Sequence, residues 1–163
     1  MPTDARQQFA DLLERHRKIV FKVANTYAWH PDDRADLAQE IAAQGWRAFP
    51  GYDPARSFPT WLYRVALNVT ISFVRGHSLR QRYSVPLDEE LHDVAAVDID
   101  HEAGQQLRAL QAFIARLDPL NRALLLLYLE DHSHRESAEI LGISESNVAT
   151  KLSRLRQRIR TEL

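Results

Sequence analysis

The stretch from Ser133 to Arg160, SHRESAEILGISESNVATKLSRLRQRIR, leaves the chain little choice of local structure. Ser133 and Glu136 stand in S-x-x-E order, a capping box, in which hydroxyl and carboxylate can each satisfy an orphan N–H at a helix start. Ala138, Ile140 and Leu141 then supply a packing face, and Gly142 permits the left-handed residue that ends a helix. Ile143 plugs the turn and Ser144 can cap a second helix. In that helix Val148, Leu152, Leu155 and Ile159 recur at spacings of four, three and four, which predicts one buried stripe. Lys151, Arg154, Arg156, Arg158 and Arg160 follow one another with no acid between them. Two helices joined by a tight glycine turn, the second one basic, make a helix-turn-helix. Asn147, Thr150 and Lys151, near the start of the second helix, have donors and acceptors that reach base edges in a major groove. Arg154, Arg156 and Arg158 suit phosphates, which fix position rather than read sequence. The bland alternative is an amphipathic helical pair with a solvated basic face. The capping box, the glycine turn and the acid-free helix together favour DNA.

Most of the remaining chain also has helical period. Phe9, Leu12, Leu13, Ile19, Val20, Val23 and Tyr27 predict one helix from about Asp4 to Ala28. Pro31 follows the end of that helix, and Asp32 and Asp33 suit the start of a second, to about Phe49, with Leu37, Ile41, Trp46 and Phe49 on its apolar side. Gly45 costs that helix about 1 kcal/mol relative to alanine, a cost that close packing would explain. After the turn residues Pro50, Gly51, Asp53 and Pro54, a third helix starts near Ser57 or Phe58, with Pro59 in its first turn. Gly76 is expected to end or weaken it. Helix returns from about His101 to Leu117, and Asp118-Pro119 restarts it as N-cap and first helical residue. Leu120 to Tyr128 is apolar on almost every side, so that short helix should be central to a small bundle.

Between about Gly76 and Asp100 no period is sustained, and seven acids fall between Asp88 and Glu102, which fits a flexible acidic linker. The overall charge of −1 hides this pattern. Residues 1–80 carry a net +3, residues 81–120 a net −5 and residues 121–163 a net +1. The expected fold class is therefore all-α. Two small helical domains, residues 1–76 and 101–163, are joined by a linker at 77–100, and the second ends in the helix-turn-helix.

Hydrophobic residues at 45 % and charged residues at 26 % are ordinary for a globular chain, which argues against disorder throughout. No apolar run approaches the roughly 18 residues of a membrane span, and the N-terminus lacks the order of a secretion signal. With no cysteine there is no disulfide framework and no thiolate metal site. A cytoplasmic protein without membrane insertion is expected. Neither a phosphate loop, nor H-E-x-x-H, nor a nucleophile elbow is present, so neither an enzyme nor a cofactor is expected. His132 and His134 lie two apart on a capping turn without a clear third ligand, and read as surface histidines rather than a metal site.

DLAQE (Asp36 to Glu40), WRAF (Trp46 to Phe49) and FPTWLYRVALN (Phe58 to Asn68) resemble the core domain of extracytoplasmic-function (ECF) sigma factors of bacterial RNA polymerase. LDPLNRALLLLYL (Leu117 to Leu129) with the helix-turn-helix resembles their second domain. The resemblance spans about residues 9–76 and 105–161, all but the linker.

It implies a mechanism. The first domain docks on a coiled coil of the largest polymerase subunit and opens the minus-10 promoter element. The second domain reads the minus-35 element, and the linker passes through the polymerase. Asp36, Gln39 and Glu40, at i, i+3 and i+4, share one helix face. On the resemblance they pair with polymerase arginines, with Arg47 at the rim; without it, solvated acids would be the ordinary reading. Asn68 sits where the family places a polar residue beside a flipped minus-10 base; a local hydrogen bond is the alternative. Arg64, Arg75 and Arg80 are expected on the DNA backbone. Trp46 and Trp61 read as core residues, and Tyr63 as either core or base-stacking. Ala149, Ser137, His132 and His134 depart from the residues usual in the family, which puts the usual minus-35 preference and the packing there in doubt.

The expected partners are core RNA polymerase and promoter DNA. Anti-sigma factors are common in the family and would cover the polymerase- or DNA-facing surfaces. No sizeable extension follows the helix-turn-helix, so an appended sensor domain is not expected. The competing reading is a free-standing helix-turn-helix regulator; the DLAQE face and the Phe58 to Asn68 motif argue against it.

Overall fold

The computed structural model describes residues 2–81 and 101–163, with side chains at 4–74 and 102–163. All regular structure among the described residues is helical: α1 (Pro2–Arg15), α2 (Arg17–Tyr27), α3 (Pro31–Ala48), α4 (Phe58–Gln81), α5 (His101–Arg116), α6 (Pro119–Leu129), α7 (His134–Leu141) and α8 (Glu145–Glu162), plus a 3₁₀ turn at Phe49–Gly51. They form two compact units, one built chiefly on α1–α4 and the other chiefly on α5–α8. Most of the expected linker lies outside the described residues.

In the first unit α2 packs on α3. Val23, Ala24, Leu37, Ile41, Leu62, Ala66 and Leu67 are almost wholly buried, at the three- and four-residue spacing that defines one helix face. Pro31 opens α3, and the His30 ring does what a serine cap usually does: its Nδ1 accepts the N–H of Asp32 at 3.0 Å. Phe9, Trp46, Phe49, Tyr52, Phe58 and Trp61 form a chain of ring contacts with centroids 5.2–6.1 Å apart. Tyr52 also donates its hydroxyl to the Arg56 carbonyl at 2.7 Å, which closes the loop before α4.

Three expectations change here. The single helix over 4–28 is two, with His16 at φ −115° between them. The break falls in the polar run from Glu14 to Lys18, where no buried side chain holds the two segments in line. Gly76 does not end α4, which continues to Gln81; about 1 kcal/mol is too little to stop an otherwise continuous helix. Trp46 is not a core residue, being 39 % exposed.

In the second unit α6 packs on α8, and Ala123 to Leu127 is buried on all sides, as its composition predicts. Asp118 caps α6 by accepting the N–H of Asn121 at 3.4 Å, and it also takes that residue's side-chain amide. The chain leaves α6 through Asp131 at φ 62°, with the N–H of His132 donated to the Leu127 carbonyl at 3.0 Å. It leaves α7 in the same manner through Gly142 at φ 68°, with the N–H of Ile143 donated to Ala138 at 3.2 Å. Both are Schellman endings, whose long bond satisfies a carbonyl that the helix itself cannot.

Candidate functional site

The first candidate surface is the outer side of α3. Leu37 and Ile41 point into the core with no exposure, which turns Asp36, Gln39 and Glu40 outward; all three are exposed, as is Arg47 two turns on. Glu40 accepts a hydrogen bond from the Gln44 amide at 2.9 Å, which steadies it on the helix. Asp36 has no ion pair among the described residues, so this end of α3 presents net negative charge.

The second is on α4. Leu62, Tyr63, Ala66 and Leu67 are buried, and Arg64 and Asn68 are exposed one turn apart on the opposite side. Among the described residues nothing takes the Asn68 amide, so the local hydrogen bond weighed above is absent. Tyr63 is only 4 % exposed, which removes it as a base-stacking group. Trp61 is half-buried within the aromatic chain. Arg75 and Arg80 lie on α4, with side chains outside the described residues.

The third is α8. Ser133 accepts the Glu136 N–H at 3.1 Å and Ser144 that of Asn147 at 3.1 Å, so both helices start where their caps predict. The Glu136 carboxylate reaches back toward Ser133, whose backbone N–H adds a smaller stabilisation of its charged form. It takes His132 Nδ1 at 3.0 Å and the Ser133 hydroxyl at 3.1 Å. Those two bonds, the histidine's first, hold its pKa below the ordinary glutamate value. His132 is thus engaged at the cap, and no group of three metal-ligating side chains occurs among the described residues.

Val148, Leu152 and Leu155 are buried and Ile159 half-buried, which fixes the rotation of α8. Asn147, Thr150 and Arg154 are exposed, and Lys151 is half-buried at the edge of the stripe. The Thr150 hydroxyl donates to the Ser146 carbonyl at 2.9 Å, which leaves an oxygen lone pair and a methyl group to face outward. Arg156 lies over the Tyr128 ring at 5.7 Å, and Arg158 over Phe113 at 5.3 Å with Glu162 3.5 Å away. These two arginines flank the stripe on opposite sides, stacked on their own domain, whereas Arg154 lies on the outer face. Helical phase also puts Ser146 and Gln157, both exposed, opposite the stripe. Neither carries a charge to mark it in the sequence, but both fall on the complement of the apolar stripe.

Residues 12–80 match the Sigma-70 region 2 family and residues 107–159 the Sigma-70 region 4 family. The chain is 32 % identical over 126 residues to the ECF sigma factor SigM of Bacillus subtilis, covering 77 % of this chain and 76 % of that one. It is 25 % identical over 170 residues to SigW of the same organism, covering 95 % and 88 %. In fold it is similar to the sigma factor RpoE solved with the anti-sigma factor NepR from Bartonella quintana. There the TM-score is 0.62 at 18 % identity, over 98 % of this chain and 96 % of that one. Two sigma regions in this order, and a relative matched over three quarters of both lengths, identify the chain: it belongs to the ECF group of RNA polymerase sigma factors.

Proposed function

We propose the following division of labour for this alternative sigma factor, which binds core RNA polymerase and directs promoter-specific initiation. The acidic face of α3, with Asp36, Gln39 and Glu40 at its centre and Arg47 at its rim, docks on the polymerase. Ion pairs there govern partner choice and association rate more than raw affinity. Asn68 reads an unstacked minus-10 base through its amide, and Arg64, Arg75 and Arg80 hold the backbone beside it. On α8, Asn147, Thr150, Lys151 and Arg154 face the minus-35 groove. Arg156 and Arg158, stiffened by the rings beneath them, meet phosphates along its two edges. The functional division is residues 1–76, a linker at 77–100 and residues 101–163. The protein works in the cytoplasm, performs no chemistry of its own, and has an anti-sigma factor as a natural inhibitor, as RpoE has NepR.

The observation that supports this most is the combination, in one chain, of an outward acidic face on α3 with a helix-turn-helix of exposed cationic and amide groups. A free-standing regulator needs only the second. Replacing Asp36 and Glu40 together by arginine should abolish core polymerase binding, measured by co-purification, with helicity unchanged; retained binding would reject the docking face. Lys151→Ala and Arg154→Ala should each weaken holoenzyme binding to its promoter by up to about 1–3 kcal/mol, and a gel-shift titration showing no loss would reject the placement of α8.

A further inference from the structure

Opposite its buried stripe, α8 carries a crest of short side chains. By helical phase Ser146, Thr150 and Ser153 lie far round the helix from Val148, Leu152 and Leu155, and all three are exposed. None is charged and none is longer than a threonine. Lys151 and Arg154 run along one flank of the crest, Arg156 and Arg160 along the other. The helix backbone can therefore approach closely whatever lies before the crest, while longer cations reach past it on both sides. From Ser146 to Ser153 the crest is about 10 Å long at the helical rise, the span of about three base steps. Thr150 stands at its middle, and its hydroxyl is already committed. It donates to the Ser146 carbonyl at 2.9 Å, the bond by which a helical threonine ties itself to the preceding turn. A hydroxyl has one proton to give. While that bond holds, Thr150 offers a partner only an oxygen lone pair and its methyl group.

We infer that Thr150 makes this sigma factor select a T·A pair within the minus-35 element, by seating its methyl group against the 5-methyl group of thymine. The inference rests on the reading of α8 as the minus-35 helix and adds which base is read and through which group. In the major groove thymine alone presents a methyl group, and the adenine paired with it presents an N6 donor that the free lone pair of the hydroxyl accepts. A G·C pair suits Thr150 less well. Guanine presents two acceptors, O6 and N7, which find no donor on Thr150, and cytosine presents a donor without a methyl group. The cations on the flanks meet phosphates and set the register, so the residue at the middle of the crest needs no charge of its own.

The test uses holoenzyme assembled from the full chain and core RNA polymerase. The probe is a promoter fragment from which it initiates, with the minus-35 element randomised. The randomised stretch is synthesised once with thymidine and once with deoxyuridine, which lacks only the 5-methyl group. From the first library the parent should enrich thymine at one position. In the second, uracil at that position should be enriched about three- to fivefold less, the worth of one buried methyl group. Thr150→Val keeps the methyl group without the hydroxyl and should keep that difference. Thr150→Ser keeps the hydroxyl without the methyl group and should treat the two libraries alike there. Profiles that are the same with thymidine and deoxyuridine, or the same for the parent and Thr150→Ser, overturn the proposal, and so does loss of the difference in Thr150→Val. In each of those cases weakened binding by Lys151→Ala and Arg154→Ala still upholds α8 as the minus-35 helix. If the parent selects no minus-35 sequence and both alanine variants bind as the parent does, the reading of α8 falls as well.

Discussion

Arg122 is 8 % exposed and donates to the carbonyls of Ala115 and Leu117, each at 3.1 Å. It closes the C-terminal end of α5 from within α6, a charged cap on carbonyls the helix leaves open. Replacing it by methionine keeps much of the volume and removes the bonds, which should cost about 2–3 kcal/mol in denaturant unfolding. A loss under 0.5 kcal/mol, on the order of a surface substitution, would show that water satisfies those carbonyls. Glu136 makes a prediction in pH. Its folded pKa is depressed by His132 and Ser133, so its contribution is complete above the ordinary glutamate value, about 4.3. That contribution is lost as pH falls through the lowered value. The stability gap between the parent and Glu136→Gln should therefore narrow on acidification below that point; a constant gap would contradict the cap geometry. Neither residue's role was legible beforehand in full. Within LNRALLLL, Arg122 looks like the polar side of an apolar helix, and only the packing of α5 against α6 makes it internal. The capping box was legible as a motif, but the bond from His132 to its carboxylate was not, since nothing in the motif calls for a histidine.

At the level of elements, starts and stops written in local chemistry were readable: Asp118-Pro119, Ser133, Ser144 and Gly142 all do what their chemistry dictates. Gly142 permits a clean measurement, since it has φ 68° and open space where a Cβ would go. Gly142→Ala should therefore cost only the left-handed backbone penalty, about 1–2 kcal/mol, and Gly142→Asn less. Equal losses for both would point to a contact rather than to the backbone. Features set by tertiary structure were not readable. The break at His16 has no proline or glycine to mark it. The phase of Trp46 is legible in the sequence, but its 39 % exposure depends on Phe9, from another helix, filling the space over Gly45. The rotation of α8 followed from Val148, Leu152 and Leu155, yet the stacking of Arg156 and Arg158 depends on Tyr128 and Phe113, which come from other helices.

For the molecule as a whole, the sequence disclosed the order of parts, because two helical units with different surface chemistry are separated by an acidic stretch. The net charge of −1 did not disclose it, since the acids of the middle cancel the basic residues at either end. A chain that neutralises phosphates with a few arginines and lysines should bind DNA only as part of the holoenzyme and with a modest salt dependence. Titrating promoter affinity of the holoenzyme against salt should give a shallower slope for Arg154→Ala than for the parent, by about one ion. Purified chain should be added to core RNA polymerase on a library of genomic promoter fragments, and the 5′ ends of the transcripts mapped. The account predicts initiation at a discrete set of sites sharing minus-10 and minus-35 elements, abolished by the Asp36/Glu40 reversal. A transcript pattern identical to that of core polymerase alone would contradict it.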